Sequence, residues 1–292
     1  MPQVGTEIVA KEMTLALGSS SAILAANAAA LGIPTTFCSS IGQDSYGELV
    51  IRELKASGVQ THYIKVSPSH PTGISVLLNY DQDRACVTYC GAMELLTIED
   101  IPWAAIDQFQ HVHLSNFFLQ KGLQPDVITL FRRAKAAGLT TSLDLQWDIT
   151  NRWDFNYQDC LPYVDVFFPN ESELLALTHC DELEAAIKQV KPLANTLAIK
   201  LGAKGSLGLQ NNERISTAPF KGDRFADAIG AGDSFNAGFL KKYLTGAPLQ
   251  ECLEFGNLMG ALNTTAAGGT AAFGNIANIE ENVRARFGVD LF

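Results

Sequence analysis

The sequence is poor in positive charge. It has 21 Lys and Arg against 31 Asp and Glu over 292 residues, a net charge of -10. An acidic balance of this size argues against a surface built for nucleic acid or for an anionic membrane. Apolar residues make up 47% of the chain, enough for a sizeable core, yet no apolar run is long enough to span a bilayer. There is no secretory leader and no lipidation motif. The 6 cysteines form no C-x-x-C pair, and no His lies at zinc spacing from two of them. Cys86 and Cys90 are four apart in an extended segment, where they would share a face. Most of these thiols are expected to be buried and free, in a reducing compartment, the cytoplasm. Neither internal repeats nor low-complexity tracts occur. The length suits one large α/β domain or two smaller ones, and residues 1–292 are read as a single domain.

The first third opens with an Ala-rich helix over Ser21–Leu31 that stops at Gly32. A strand over Thr35–Ile41 and an amphipathic helix over Ser45–Ser57 follow. Ile74–Asn79 and Ala85–Tyr89 flank a polar turn and read as a hairpin. From His111 the pattern changes to short apolar strands (111–115, 140–144, 164–168, 197–200) alternating with helices over 125–137 and 171–177. Such alternation predicts a mostly parallel sheet covered by helices on both faces. Ligands of such sheets gather at the carboxyl ends of the strands, where Asp144, Asn170 and Lys200 fall. The last third is read as two helices, 231–244 and 249–267, followed by Gly268-Gly269.

The densest chemistry lies at Asp227-Ala228-Ile229-Gly230-Ala231-Gly232-Asp233, which runs straight into Ser234-Phe235-Asn236-Ala237. Small residues let the backbone approach a ligand closely, and the first N–H groups of the helix that follows attract an anion. A carboxylate beside such an anion site is costly without a chemical task. Asp233 therefore reads as a general base taking a proton from a hydroxyl while the turn holds a phosphoryl group. Taken alone, the stretch also reads as a glycine turn with Asp233 as a cap. Lys200, Lys204, Lys221 and Arg224 flank the approach and are candidates to offset phosphate charge, or equally a solvated surface.

Four stretches line up in order: Gly18-Ser19-Ser20-Ser21-Ala22 with Gly32 and Gly42-Gln43-Asp44-Ser45-Tyr46-Gly47; Pro169-Asn170-Glu171-Ser172-Glu173; Lys200-Leu201-Gly202-Ala203-Lys204-Gly205; and Asp227 to Asp233. From about Gly18 to Gly269 the chain resembles the ribokinase-like (PfkB) family of carbohydrate kinases. The resemblance implies an α/β fold with a small β lid, formed mainly by residues 6–17 and 72–91. It implies transfer of the γ-phosphoryl group of ATP to a hydroxyl of a sugar or related alcohol. By the same resemblance Asp233 is the base, and the N–H groups of Gly230, Ala231 and Gly232 form the anion hole. Asn170 and Glu173 organise Mg²⁺, largely through water, while Glu173 also reads as a first-turn helix acid. Lys200, Gly202 and Gly205 line the triphosphate, and Asn257 reaches the adenine pocket or lies on a helix surface. Asp227 and Ile229 match positions that hold a monovalent cation, which makes K⁺ a candidate cofactor. Packing of two lids implies a homodimer.

The chain departs from the family in two places. The family opens with a strand of the central sheet before the first glycine motif; here only Met1–Leu17 precede Gly18, and Val4–Ala10 reads as the segment that follows that strand. An earlier natural start or a shortened relative is the expectation, with a compensating partner or poor stability. Ile23 stands where the family places a substrate-binding Asn, so the acceptor contacts are assigned to Gly18, Ser19, Ser20 and Asn27, one helical turn on. Ser19–Ser21 also read as a helix cap. Two further readings remain: a nucleoside kinase, with Phe117 and Phe118 as base walls, and an inactive relative that binds a ligand or partner.

Overall fold

The computed structural model describes residues 4–5, 7–80 and 83–291. The chain runs α1 (Ser20–Ala30), β1 (Thr36–Gly42), α2 (Ser45–Ala56), β2 (Gln60–Ser67), β3 (Ile74–Tyr80), β4 (Asp83–Tyr89), β5 (His111–Ser115), α3 (Val127–Ala136) and β6 (Thr140–Asp144). It continues with α4 (Tyr157–Cys160), β7 (Val166–Phe167), α5 (Glu171–Thr178), α6 (Leu183–Val190), β8 (Thr196–Lys200), β9 (Ser206–Gln210) and β10 (Glu213–Thr217). Three helices close it: α7 (Ala231–Tyr243), α8 (Leu249–Asn263) and α9 (Ile276–Phe287).

Strands β6 to β8 are buried on both faces over nearly all their residues, and β5 to β8 pair in parallel within a six-stranded sheet ordered β10-β9-β8-β7-β6-β5. Strands β9 and β10 complete it in antiparallel fashion. Alternate side chains go to opposite faces. Leu143, Phe167, Leu197 and Ile199 pack with Phe131 of α3, Leu174 of α5 and Ile187 of α6. Val166, Phe168 and Ala198 face Phe235 and Phe239 of α7 and Leu253 of α8. Helix α1, buried along most of its length, packs on α7. The expected mostly parallel, doubly covered sheet is therefore present.

A parallel pair, β1–β2, forms a second sheet, and the β3–β4 hairpin a third. The hairpin register sets Val76 opposite Val87 and Ile74 opposite Tyr89. Along that register Val76 is 54%, Val87 70% and Tyr89 56% exposed, so one apolar face stays open. The segment over 7–17 carries no helix or strand, and Val9 and Met13 are each 91% exposed. Thr6, at the expected start of the lid, and Asp81 and Gln82, in the expected hairpin turn, lie outside the described residues.

Several boundaries and elements differ from expectation. Helix α8 ends at Asn263 rather than 267, because residues 264–269 turn back toward the start of α7. Strands β2, β9 and β10 and helices α4, α6 and α9 were not read from the sequence. Of the cysteines only Cys160 and Cys252 are buried, and Cys86 is exposed on the hairpin. All six are free, as expected.

Candidate active site

Parallel pairing puts the ends of β6 and β8 side by side, one strand apart. The chain leaving β7 continues beside β8, with Asn170 bridged to Lys200. Asp144, Lys200 and the start of α5 thereby converge on the first turn of α7.

Gly230 precedes α7 with φ 76°, a left-handed conformation that suits glycine. A methyl there would also lie 2.8 Å from the Gly269 Cα and 3.0 Å from the Ile23 Cγ2. Ile23 is thus buried behind the turn, where it supports the turn's backbone. The Ala231 N–H donates to the Ala228 carbonyl at 3.3 Å. Among the described residues no acceptor is found for the Gly230, Gly232 or Asp233 N–H, so these carry the open donors of the turn, whereas the expected Ala231 donor is taken. Lys200 Nζ stands over it, 3.5 Å from where a Gly232 Cβ would be.

Asp144, fully buried, ties the site together. Its Oδ2 accepts from Lys200 Nζ and from Asn236 Nδ2, both at 2.6 Å. Its Oδ1 accepts from the Gln146 N–H at 3.1 Å. The Gln146 amide in turn donates to Asp233 Oδ1 at 3.2 Å. Asn170 and Glu173 form a reciprocal capping box on α5: Asn170 Oδ1 accepts from the Glu173 N–H at 2.8 Å, and Glu173 Oε2 from the Asn170 N–H at 2.9 Å.

Three buried carboxyls therefore share one ammonium. Burial, then the nearby Asp144, pushes Asp233 up to about 7, against the pull of Lys200 and the Gln146 amide. Burial and Asp144 likewise push Glu173 up to about 7, opposed by Lys200 and the Asn170 N–H. Burial alone would lower the Lys200 ammonium. Asp144, Glu173 and Asp233 outweigh it and hold Lys200 above its ordinary value.

Other expected site residues have different surroundings. Asn27 is fully buried, and its Nδ2 donates to Ser234 Oγ and the Gly269 carbonyl, both at 2.9 Å. It joins α1 to α7 rather than facing an acceptor; helical spacing alone does not say which neighbour its face meets. The Asn257 amide donates to Thr217 Oγ1 at 2.9 Å and to the Ala218 carbonyl at 3.1 Å, joining α8 to the end of β10. Asp227 accepts from the Ile229 and Gly268 N–H groups, each at 2.8 Å, and Asn263 donates to the Ile229 carbonyl at 2.5 Å. These oxygens tie the turn to residues 263–268. Gly18 and Ser19 are exposed at the start of α1, Ser20 is half-buried, and Ser19 makes no cap hydrogen bond. Gly202 lies in an open turn with φ 57°, whereas at Gly205 (φ 90°) a methyl would meet the Thr217 carbonyl. Lys204 pairs with Glu171 at 3.2 Å, and Lys221 and Arg224 are exposed. Phe117 packs in the core on Phe155, and Phe118 on Trp153. A hollow of about 630 Å³ beside Arg152, Asn156 and His179 shares no residue with the carboxyl cluster.

Gln146 and Asn236 were not singled out from the sequence. Asn236 carries a faint signal, a polar residue on the buried run of α7. Gln146 carries none, because its φ of 61° is unusual for a residue without a short polar side chain.

The pfkB family carbohydrate kinase model matches residues 10–274. An ATP-dependent ribose-1-phosphate kinase from Halopiger xanaduensis is 29% identical over 274 residues, covering 93% of this chain and 88% of its own. The crystal structure of adenosine kinase from Sinorhizobium meliloti superposes with a TM-score of 0.81 at 25% identity, covering 90% of this chain and 82% of its own. A putative ribokinase II from E. coli, in complex with ATP and Mg²⁺, superposes at 0.82 with 23% identity over 97% of this chain and 94% of its own.

A base must be ionised to act. With Asp233 titrating near 7, kcat/KM for phosphoryl transfer is expected to rise through about pH 7, one proton being lost from the free enzyme. Lys200→Met removes the charge that lowers Asp233, so its acid limb is expected at higher pH. A limb that stays near pH 4, or one unmoved in Lys200→Met, would contradict this electrostatic reading.

Proposed function

Because this chain belongs to the pfkB family of carbohydrate kinases, and is thus an ATP-dependent sugar kinase, we propose that Asp233 is its general base and that the acceptor is a sugar or sugar-like alcohol. The observation that carries this reading is the pairing of Asp233, buried and titrating near 7, with the open Gly232 and Asp233 N–H groups and the Lys200 ammonium. In phosphoryl transfer the protein mainly positions the reactants and stabilises charge. The acceptor hydroxyl gives its proton to Asp233 as its oxygen attacks the γ-phosphorus. The open N–H groups and Lys200 stabilise the negative charge on the phosphoryl oxygens. Gly18, Ser19 and Ser20, at the start of α1, contact the acceptor. Gly202, in its open turn, lies along the triphosphate.

The residues present suit Mg²⁺ held through its waters. Asn236 Oδ1 is a buried acceptor with no partner among the described residues, and Glu173 offers a carboxylate to the same Asp144–Lys200 cluster, which carries surplus negative charge. Asn170 and Glu173 would hold the ion through water. When bound with ATP it neutralises phosphate charge.

Release of ADP from Mg·ATP is to be measured with pentoses, hexoses, their phosphates and nucleosides. Acceptor-dependent release is expected, with kcat reduced at least ~100-fold in Asp233→Asn. Near wild-type turnover in that variant would remove Asp233 from the chemistry. Turnover confined to nucleosides would move the acceptor to that class.

The open hairpin face of Val76, Val87 and Tyr89 supports a homodimer through the lid. Light scattering is expected to give twice the 31.5 kDa chain mass, and the monomer mass for Val87→Asp. A wild-type monomer would rule this pairing out.

A further inference from the structure

A residue outside the motifs described above, Gln146, makes a direct side-chain contact with the carboxylate assigned as the base. Its amide nitrogen lies 3.2 Å from Asp233 Oδ1, across 87 residues of sequence. Among the described residues no other side chain donates a hydrogen bond to Asp233. The contact does not come from a floppy side chain reaching across open space. Leu145, the residue before it, is buried in the core at the end of β6. The Gln146 N–H is held by Asp144 Oδ1 at 3.1 Å. On the other side, the Asp148 carboxylate accepts from the N–H groups of Thr150, Arg152 and Trp153 at 2.8, 3.0 and 2.8 Å, which closes the following loop.

Within this frame the Gln146 backbone takes φ 61°. For a glutamine that left-handed conformation is strained. Glycine or asparagine would adopt it more readily, yet neither has a side chain of the length that reaches Asp233 from this backbone. The strain and the contact have one explanation. Resting on the assignment of Asp233 as base, we propose that Gln146 is its positioning residue: the amide fixes the carboxylate through Oδ1, so that Oδ2 is left for the acceptor hydroxyl.

The same amide favours the ionised form of the base. The charged groups facing Asp233 are Asp144 at the end of β6, Glu173 on α5 and Lys200 at the end of β8. The two acids disfavour its charge and Lys200 favours it, as does the uncharged amide. Gln146 thus adds to Lys200 in keeping the base usable near neutral pH, and does so without placing a second cation beside the transferring group.

The test is a titration of aspartate labelled with ¹³C at the carboxyl carbon, followed by NMR in the wild type, Gln146→Leu and Gln146→Glu. The Asp233 signal is assigned by its loss in Asp233→Asn. The expected result is an upward shift of the Asp233 titration by about one pH unit in Gln146→Leu and by more in Gln146→Glu, where a like charge replaces the donor. In turnover, kcat at pH 7 is expected to fall ~10-fold or more, with the acid limb moved up and the acceptor KM within ~3-fold of wild type. Should Gln146→Leu fail to fold, the nearly isosteric Gln146→Glu decides. An Asp233 titration unchanged in both variants overturns the proposal, and so does a loss confined to KM with the limb in place. The NMR arm reads the Asp233–Gln146 contact whether or not any acceptor is turned over. Absent turnover in the wild type therefore counts against the kinase assignment of Asp233, and an unmoved titration counts against Gln146.

Discussion

The site depends on one buried carboxylate. Asp144 is fully buried and accepts from Lys200, Asn236 and the backbone of Gln146. Its three bonds join β6 to β8, to α7 and to the loop after β6. A buried ion pair of this sort adds little net stability, because desolvation offsets most of the attraction. Removing one partner is a different matter, since it leaves the other charged and unpaired in a dry setting. The pair thus fixes geometry more than it stabilises the fold: Lys200 is held over the first turn of α7, and Gln146 is aimed at Asp233.

The charge balance follows from that arrangement. Asp144, Glu173 and Asp233 surround a single ammonium, so the cluster carries a surplus of negative charge that burial makes expensive. Part of the cost shows as the raised values near 7 for Asp233 and Glu173. A site of this kind suits a reaction that brings a cation and a proton donor together. A metal ion accompanying the nucleotide would offset the surplus, and a buried carboxyl titrating near 7 can accept a proton at neutral pH. Against the chain's net charge of -10, the positive features beside the carboxyls are local: the Lys200 ammonium and the open N–H groups at the start of α7.

Much of this was readable from the residues. The short apolar strands announced a parallel sheet, and strand ends at Asp144 and Lys200 marked where the site would lie. The Gly-Ala-Gly-Asp turn announced its helix, but of the three N–H groups expected to be open, that of Ala231 is bonded to the Ala228 carbonyl. What could not be read was which neighbour a polar residue meets. Asn27 and Asn236 look alike, each a single Asn inside a buried helical run, yet one joins α1 to α7 and the other joins α7 to Asp144. Spacing gives a face, and only packing gives its partner. Gln146 escaped notice because its left-handed backbone is imposed by Asp144 and the Asp148 turn, not by its own preference. Helix α9 and strand β10 carry exposed polar residues that blur their periodicity.

The most direct test of this account is a double-mutant cycle on Asp144→Asn and Lys200→Met, read as the affinity for Mg·ATP by calorimetry. If the carboxylate acts by holding the ammonium over α7, the two losses overlap. The double variant is then expected to bind about as weakly as the weaker single one, with a coupling above ~1 kcal/mol. Losses that add, with no coupling, would show that Lys200 finds its place without Asp144, and the arrangement described above would not be what organises the site.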